Sequence, residues 1–129
     1  MKLKIGYQAL IADAMAHIET IPLGEAQLLL SDPNVQWVDI RDVRELEREG
    51  MIAGAFHAPR GMLEFWVDPE SPYFKPVFGE GKRLLLYCAS AWRSALATAT
   101  LQKMGVPHVC HLEGGFTAWK NAGLPIVKK

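Results

Sequence analysis

Hydrophobic positions along the chain change period several times, and each change marks an element. From Gly6 to Ile18, the residues Leu10, Ile11, Ala14, Met15 and Ile18 recur at helical spacing, which predicts a helix with one apolar stripe. Its expected role is to cover core surface rather than to meet a partner, and His17 on it reads as a surface residue. Ile18 to Ile21 is a short β-rich stretch, and Pro22 then opens a helix running to about Leu30. Ser31-Asp32-Pro33-Asn34 carries turn chemistry. Val35 to Ile40 holds little charge before Asp39 and reads as a central strand. Asp42 to Glu49 is polar and helical, ended by Gly50; in the stretch that follows, Gly54 permits tight turning and Pro59 stops regular pairing. Gly61 to Trp66 predicts a short helix. Val67 to Gly81 is a long Pro/Gly-rich connection bearing Tyr73, Phe74 and Phe78. It is expected to pack down as a wall of the pocket, with Trp66 and Phe74 filling core.

The second half repeats the strand–helix rhythm more sharply. Arg83 to Tyr87 is an apolar run that ends at Cys88, and an Ala/Leu-rich helical stretch follows as far as Met104. Gly105-Val106-Pro107 turns the chain into a strand over His108 to Leu112. Glu113-Gly114-Gly115 turns it again into a helix over Phe116 to Ala122. Strands alternating with helices imply an α/β fold with a mainly parallel central sheet flanked by helices on both faces.

Composition narrows the functional classes. The chain has 129 residues, half of them hydrophobic, which suits one domain with a real core. Its 14 basic and 14 acidic residues cancel, so neither nucleic acid nor a membrane surface is an expected partner. No apolar run is long enough to span a bilayer. The basic start Met1-Lys2-Leu3-Lys4 lacks the continuous apolar stretch of a signal peptide. Two cysteines, Cys88 and Cys110, are too few for a disulfide framework, and a reducing, cytoplasmic setting is expected.

The position of Cys88 carries the chemistry. A thiol at the carboxyl end of a strand, facing the start of the next helix, sits where α/β proteins place ligands. Free N–H groups and the helix dipole favour an anion there, and such surroundings make a cysteine nucleophilic. Arg93 adds a permanent charge at the end of the loop. The stretch from Cys88 to Ser94 therefore reads as a nucleophile in an anion cradle.

Cys88-x4-Arg93-Ser94 resembles the active-site loop of rhodanese-like sulfurtransferases. The resemblance extends to Val38-Asp39-Ile40-Arg41, to Gly50 through Pro59, to Leu112-Glu113-Gly114-Gly115-Phe116-Thr117-Ala118-Trp119 and to Gly123-Leu124-Pro125. These blocks stand in family order from roughly residue 20 to the end, which makes residues 1–19 a helical extension and 20–129 the rhodanese-like domain.

What the resemblance implies is a sulfurtransferase with Cys88 as catalytic nucleophile. Ala89, Ser90, Ala91, Trp92 and Arg93 would form the substrate-binding loop, and Arg60 is a further candidate for contact with the anion. The implied cycle forms a Cys88 persulfide from a small sulfur-containing anion such as thiosulfate. It then passes the sulfur to a thiol, to cyanide or to an acceptor protein. No metal and no organic cofactor is needed. The alternative is a non-catalytic or protein-relay rhodanese-like module that binds partners.

Loop length separates two chemistries within the fold. Cys88 to Arg93 spans six residues with four between, whereas the phosphatases of similar fold carry one more and cradle the larger phosphate. Sulfur transfer is the better match. Two departures from the family stand out: Ala91 occupies a position where glycine is common, and Ala89-Ser90 matches neither of the familiar donor-specific starts. The donor therefore stays open, while Trp92 is expected to make the rim bulky.

Other polar residues read as structural. Asp39 and Arg41 are expected to lock loops by paired hydrogen bonds, and His57 is expected to be packed or hydrogen-bonded rather than to act as a base. Cys110 reads as a small buried hydrophobe. Strand alternation puts His108 and Cys110 on one face and His111 on the other, so these three are not expected to bind metal.

Overall fold

The computed structural model describes residues 1–129. Strands β1 (Glu19–Ile21), β2 (Val35–Asp39), β3 (Phe56–His57), β4 (Arg83–Tyr87) and β5 (Val109–Leu112) pair in the order β1-β5-β4-β2-β3. Every pair is parallel. The strand that ends at Cys88 is thus the middle one, covered on both faces. This explains its unbroken apolar run.

Alternation along the strands divides the interior into two layers. Leu84, Leu86 and Cys88 share one layer with Val38, Ile40, Ala97 and Leu101. Helices α4 (Leu63–Val67) and α5 (Trp92–Met104) cover that face, with Leu63, Val67, Ala97 and Leu101 buried. Leu85 and Tyr87 point the other way and pack with Trp37, Cys110, Leu112, Phe116 and Trp119. Helices α2 (Leu23–Leu28) and α6 (Gly115–Asn121) cover this second face.

Helix α1 (Tyr7–His17) packs on α5. The contact is narrower than the apolar spacing predicted: only Ala14 is buried, while Leu10 and Met15 are exposed. A small residue sets the close approach of the two helices, and the larger side chains flank it. At its start, the Tyr7 ring lies 5.1 Å from that of Trp92, so the extension reaches the rim of the Cys88 loop.

The Val67–Gly81 connection does pack down, through a short helical turn at Pro76–Gly79 and the ring of Phe78 against Phe56. The pocket it walls is not the one beside Cys88. Val67, Asp68, Glu70 and Phe78 line a cavity with Leu84 and with Met104 to Pro107, at the amino end of β4 and the carboxyl end of α5. Turn chemistry identifies a loop, but it does not say which end of the sheet the loop covers.

Candidate active site

Helix α5 begins without a side-chain cap. Its N-cap is Ala91, at φ 72° and ψ −3°, the one non-glycine residue with positive φ. A left-handed corner here turns the chain sharply from β4 into the helix. For an alanine this conformation costs about 1 kcal/mol, and such local strain is tolerated where the surrounding structure enforces it. The position where glycine is common in the family is the position that needs this conformation.

Two features suit the corner to an anion. The backbone N–H groups of Ala89, Ser90, Ala91, Trp92 and Arg93 donate to no other group of the protein. The carbonyls that could oppose them are tied away instead: Cys88 O accepts from Phe116 N at 2.7 Å, and Ala89 O from Thr117 N at 3.0 Å. The first turn of α6 thus draws the loop carbonyls toward itself and leaves the loop amides unspent. Cys88 is fully buried, and its Sγ accepts from Ser94 N at 3.3 Å.

Trp92 is half-exposed at the start of α5. Arg93 follows the loop, but its guanidinium is held by Glu45 of α3 (Val43–Glu49), with Nη1–Oε1 at 2.8 Å and Nη2–Oε2 at 3.0 Å. This bidentate pair holds the Glu45 carboxyl below the usual carboxylate range. Glu45 also accepts from Asp42 N at 3.2 Å, closing a capping box in which the Asp42 carboxylate caps α3. One residue therefore joins a helix start to the active loop. The Asp42-x-x-Glu45 spacing is the signal that announces the cap. Arg60 sits where β2 ends, its amide donating to Ile40 O at 3.1 Å. Its guanidinium pairs with Glu64 at 2.6 Å. Both candidate anion-binding arginines thus carry a carboxylate partner.

The remaining polar residues frame the site. Asp39 and Arg41 form a fully buried ion pair at 2.7 Å, and Arg41 also donates to Gly50 O at 2.8 Å. The guanidinium stacks 4.1 Å from the Phe116 ring centroid, which braces the start of α6. His57 Nε2 bonds Arg41 O at 2.7 Å and holds a loop, as expected.

One group was not anticipated. His111, fully buried, bonds Ser94 Oγ through Nδ1 at 2.9 Å and Thr20 Oγ1 through Nε2 at 2.9 Å. Burial pushes its pKa down to about 4, so the ring is neutral at pH 7. Strand alternation placed it on the face away from Cys110, but its partners lie in remote parts of the chain.

Comparison with known proteins bears on this geometry. The model of the rhodanese-like domain matches residues 23–122. A protein designated a sulfurtransferase in Allochromatium vinosum is 34% identical over 102 residues, covering 79% of this chain and 87% of that one. The uncharacterized protein slr1261 of Synechocystis sp. is 38% identical over 109 residues, covering 84% of this chain. The chain spans only 56% of that relative's length. Among solved structures, RPA3614 of Rhodopseudomonas palustris, described as a protein of unknown function and possible tyrosine phosphatase, is 49% identical. It superposes with a TM-score of 0.95 over 98% of both chains. The central parallel sheet, the cysteine at the end of its middle strand and the match over most of the length agree: the chain belongs to the rhodanese-like domain family.

Proposed function

We propose that the protein transfers sulfane sulfur through a persulfide on Cys88. The observation that carries this reading is the run of unspent amides from Ala89 to Arg93 beside a thiol that already accepts the Ser94 amide. Such a run stabilises a thiolate and then the terminal sulfur of a persulfide, which is also an anion. No metal or organic cofactor enters the cycle.

With thiosulfate as donor, the Cys88 thiolate attacks the sulfane sulfur. A bond forms between Sγ and that sulfur while the bond to the sulfonate sulfur breaks, and sulfite leaves with the electron pair. The enzyme now carries Cys88–S–S⁻. An acceptor nucleophile attacks the outer sulfur, the S–S bond breaks, and its electron pair returns to Sγ. Cyanide leaves as thiocyanate by this route, and a thiolate leaves as a persulfide. The cell's acceptor is then a thiol, small or on a protein, in a reducing cytoplasm. No helix of the chain is long and apolar enough to cross a membrane.

The phosphatase description of the Rhodopseudomonas relative raises a second chemistry. The loop geometry speaks against it here. Only four residues separate Cys88 from Arg93, a tighter cradle than the phosphatase loop with one more residue, and Arg93 is already engaged by Glu45 through two nitrogens. The exposed Tyr7–Trp92 pair at the rim supports a relay in which the acceptor is a protein. That variant of the same chemistry keeps the Cys88 persulfide.

Intact-protein mass spectrometry after incubation with thiosulfate tests the reading. A gain of one sulfur that cyanide removes, absent in Cys88→Ser, is the expected result. Folded wild-type protein that gains no sulfur from thiosulfate or from a persulfide donor would overturn it in favour of a binding module.

A further inference from the structure

A buried imidazole is costly in a strand core unless both ring nitrogens are satisfied. His111 meets that condition, with Ser94 on one side and Thr20 on the other. A neutral ring has one donor and one acceptor, and a hydroxyl serves either role. Because the Ser94 hydroxyl donates its one proton to Ala91 O, the chain is complete in the tautomer whose Nδ1–H donates to Ser94 Oγ and whose Nε2 accepts from Thr20 Oγ1. What distinguishes it from ordinary core satisfaction is the identity of Ser94. The amide of this residue donates to Cys88 Sγ, and its hydroxyl also donates to Ala91 O at 3.3 Å, across the left-handed corner of the loop. The hydrogen bonds of one serine thus touch both the nucleophile and the strained turn. Thr20 lies in β1, outside residues 23–122 matched by the family model. The tether therefore runs from a peripheral strand, through β5, to the active loop.

We propose that His111 is a positioning residue for Cys88. With its ring fixed by Thr20, it holds the Ser94 hydroxyl, keeps the Ser94 amide on the Cys88 sulfur and keeps the corner at Ala91 closed. The inference rests on the sulfur-transfer reading above.

The test is the rate of sulfur gain at Cys88 from thiosulfate, measured by intact mass. The variants are His111→Asn, His111→Gln, His111→Leu, Ser94→Ala and the double variant His111→Leu with Ser94→Ala. Protection of Cys110 from alkylation reports that each is folded. Asparagine places an amide where Nδ1 lies and can still bond Ser94. Glutamine reaches toward the Nε2 position and serves Thr20 instead. Loss of a hydrogen bond that orients a charged group predicts a rate about tenfold lower for His111→Leu and His111→Gln, with His111→Asn within about threefold of wild type. Because His111 acts through Ser94, the double variant is expected to be no slower than the slower single one. A wild-type rate in His111→Leu, equal rates in the asparagine and glutamine variants, or multiplied losses in the double variant would each overturn the proposal. If His111→Leu does not fold, the asparagine–glutamine comparison decides. Wild-type protein that gains no sulfur from thiosulfate or from a persulfide donor would instead sink the sulfur-transfer reading, and this inference with it.

Discussion

Gly115 lies so close to Cys88 that a Cβ on it would stand 2.6 Å from the Cys88 carbonyl oxygen and 2.6 Å from that of Ala89. Its φ of +65° is also one that side chains rarely adopt. These two facts explain the Gly114-Gly115 pair in chemical terms. Only glycine lets the start of α6 press against the active loop closely enough for Phe116 and Thr117 to bond the loop carbonyls. The loop amides are free because those carbonyls are held from behind.

Gly115→Ala is therefore expected to cost about 2 kcal/mol or more in stability, since backbone must move and a left-handed φ is retained. Sulfur transfer should fall further than stability alone explains, because the loop itself is displaced. Urea denaturation paired with the persulfide assay separates the two effects. A variant with unchanged activity would show that α6 does not set the loop.

Ala91→Gly acts in the opposite direction. Glycine removes the left-handed penalty of about 1 kcal/mol but gives back part of it through unfolded-state entropy. A net gain of about 0.5 kcal/mol is expected, seen as a small rise in melting temperature with activity retained. A fall in stability would mean that the alanine methyl makes packing contacts worth more than the strain.

Glu45 decides how much positive charge the site presents. Glu45→Gln keeps a side chain suited to the third position of a capping box but removes the charge that neutralises Arg93. For an anionic donor the expected outcome is a KM about threefold lower, checked by steady-state rates with thiosulfate. An unchanged KM would place Arg93 outside the path of the donor. The pair also has an acid signature. Arg93 holds Glu45 below the usual carboxylate range, so the stabilisation from the pair is complete above that range. It is lost as pH falls through the lowered value of Glu45 itself.

Much of this site was legible along the chain. The apolar run ending at Cys88 located the central strand and put the candidate nucleophile at its end, because a strand that is buried on both faces shows few polar residues. Ala91 drew notice only because the resembling family commonly has glycine there, and the structure shows the left-handed backbone that position needs. Asp39, Arg41 and His57 were read as structural, and each bonds a loop. What was not legible joins residues far apart in sequence. Glu45 lies 48 residues from Arg93, and Thr20 lies 91 from His111. Periodicity states which face a side chain occupies, but not which remote group meets it there. Arg93 was assigned to the anion from its charge and its place in the Cys88-x4-Arg93 loop, and only the tertiary structure shows the carboxylate of Glu45 that holds it.

Cys110 gives a control on the assignment of the nucleophile. It is fully buried between β1 and β4, donates to Leu84 O at 3.5 Å, and burial pushes its thiol up to about 11. Cys110→Ser is expected to leave sulfur transfer largely intact, and alkylation at Cys110 should require unfolding. Loss of activity in a folded Cys110→Ser protein would overturn the division of labour between the two thiols.

The buried imidazole also sets how the fold responds to acid. His111 has a native pKa of about 4, whereas in an unfolded chain histidine titrates near pH 6.5, as expected for an exposed imidazole. Between these values the unfolded chain binds a proton that the native state does not. Stability is therefore full above the unfolded value. It declines as pH falls through this window, by about 3 kcal/mol in order of magnitude once His111 itself is protonated. Urea denaturation from neutral to mildly acidic pH should show this decline, and His111→Asn should flatten it while lowering stability at neutral pH. The acidic carboxylates contribute mainly below the histidine window, so the difference between the two proteins isolates the imidazole. An equal decline in both would mean that His111 is not the group that makes the fold sensitive to mild acid.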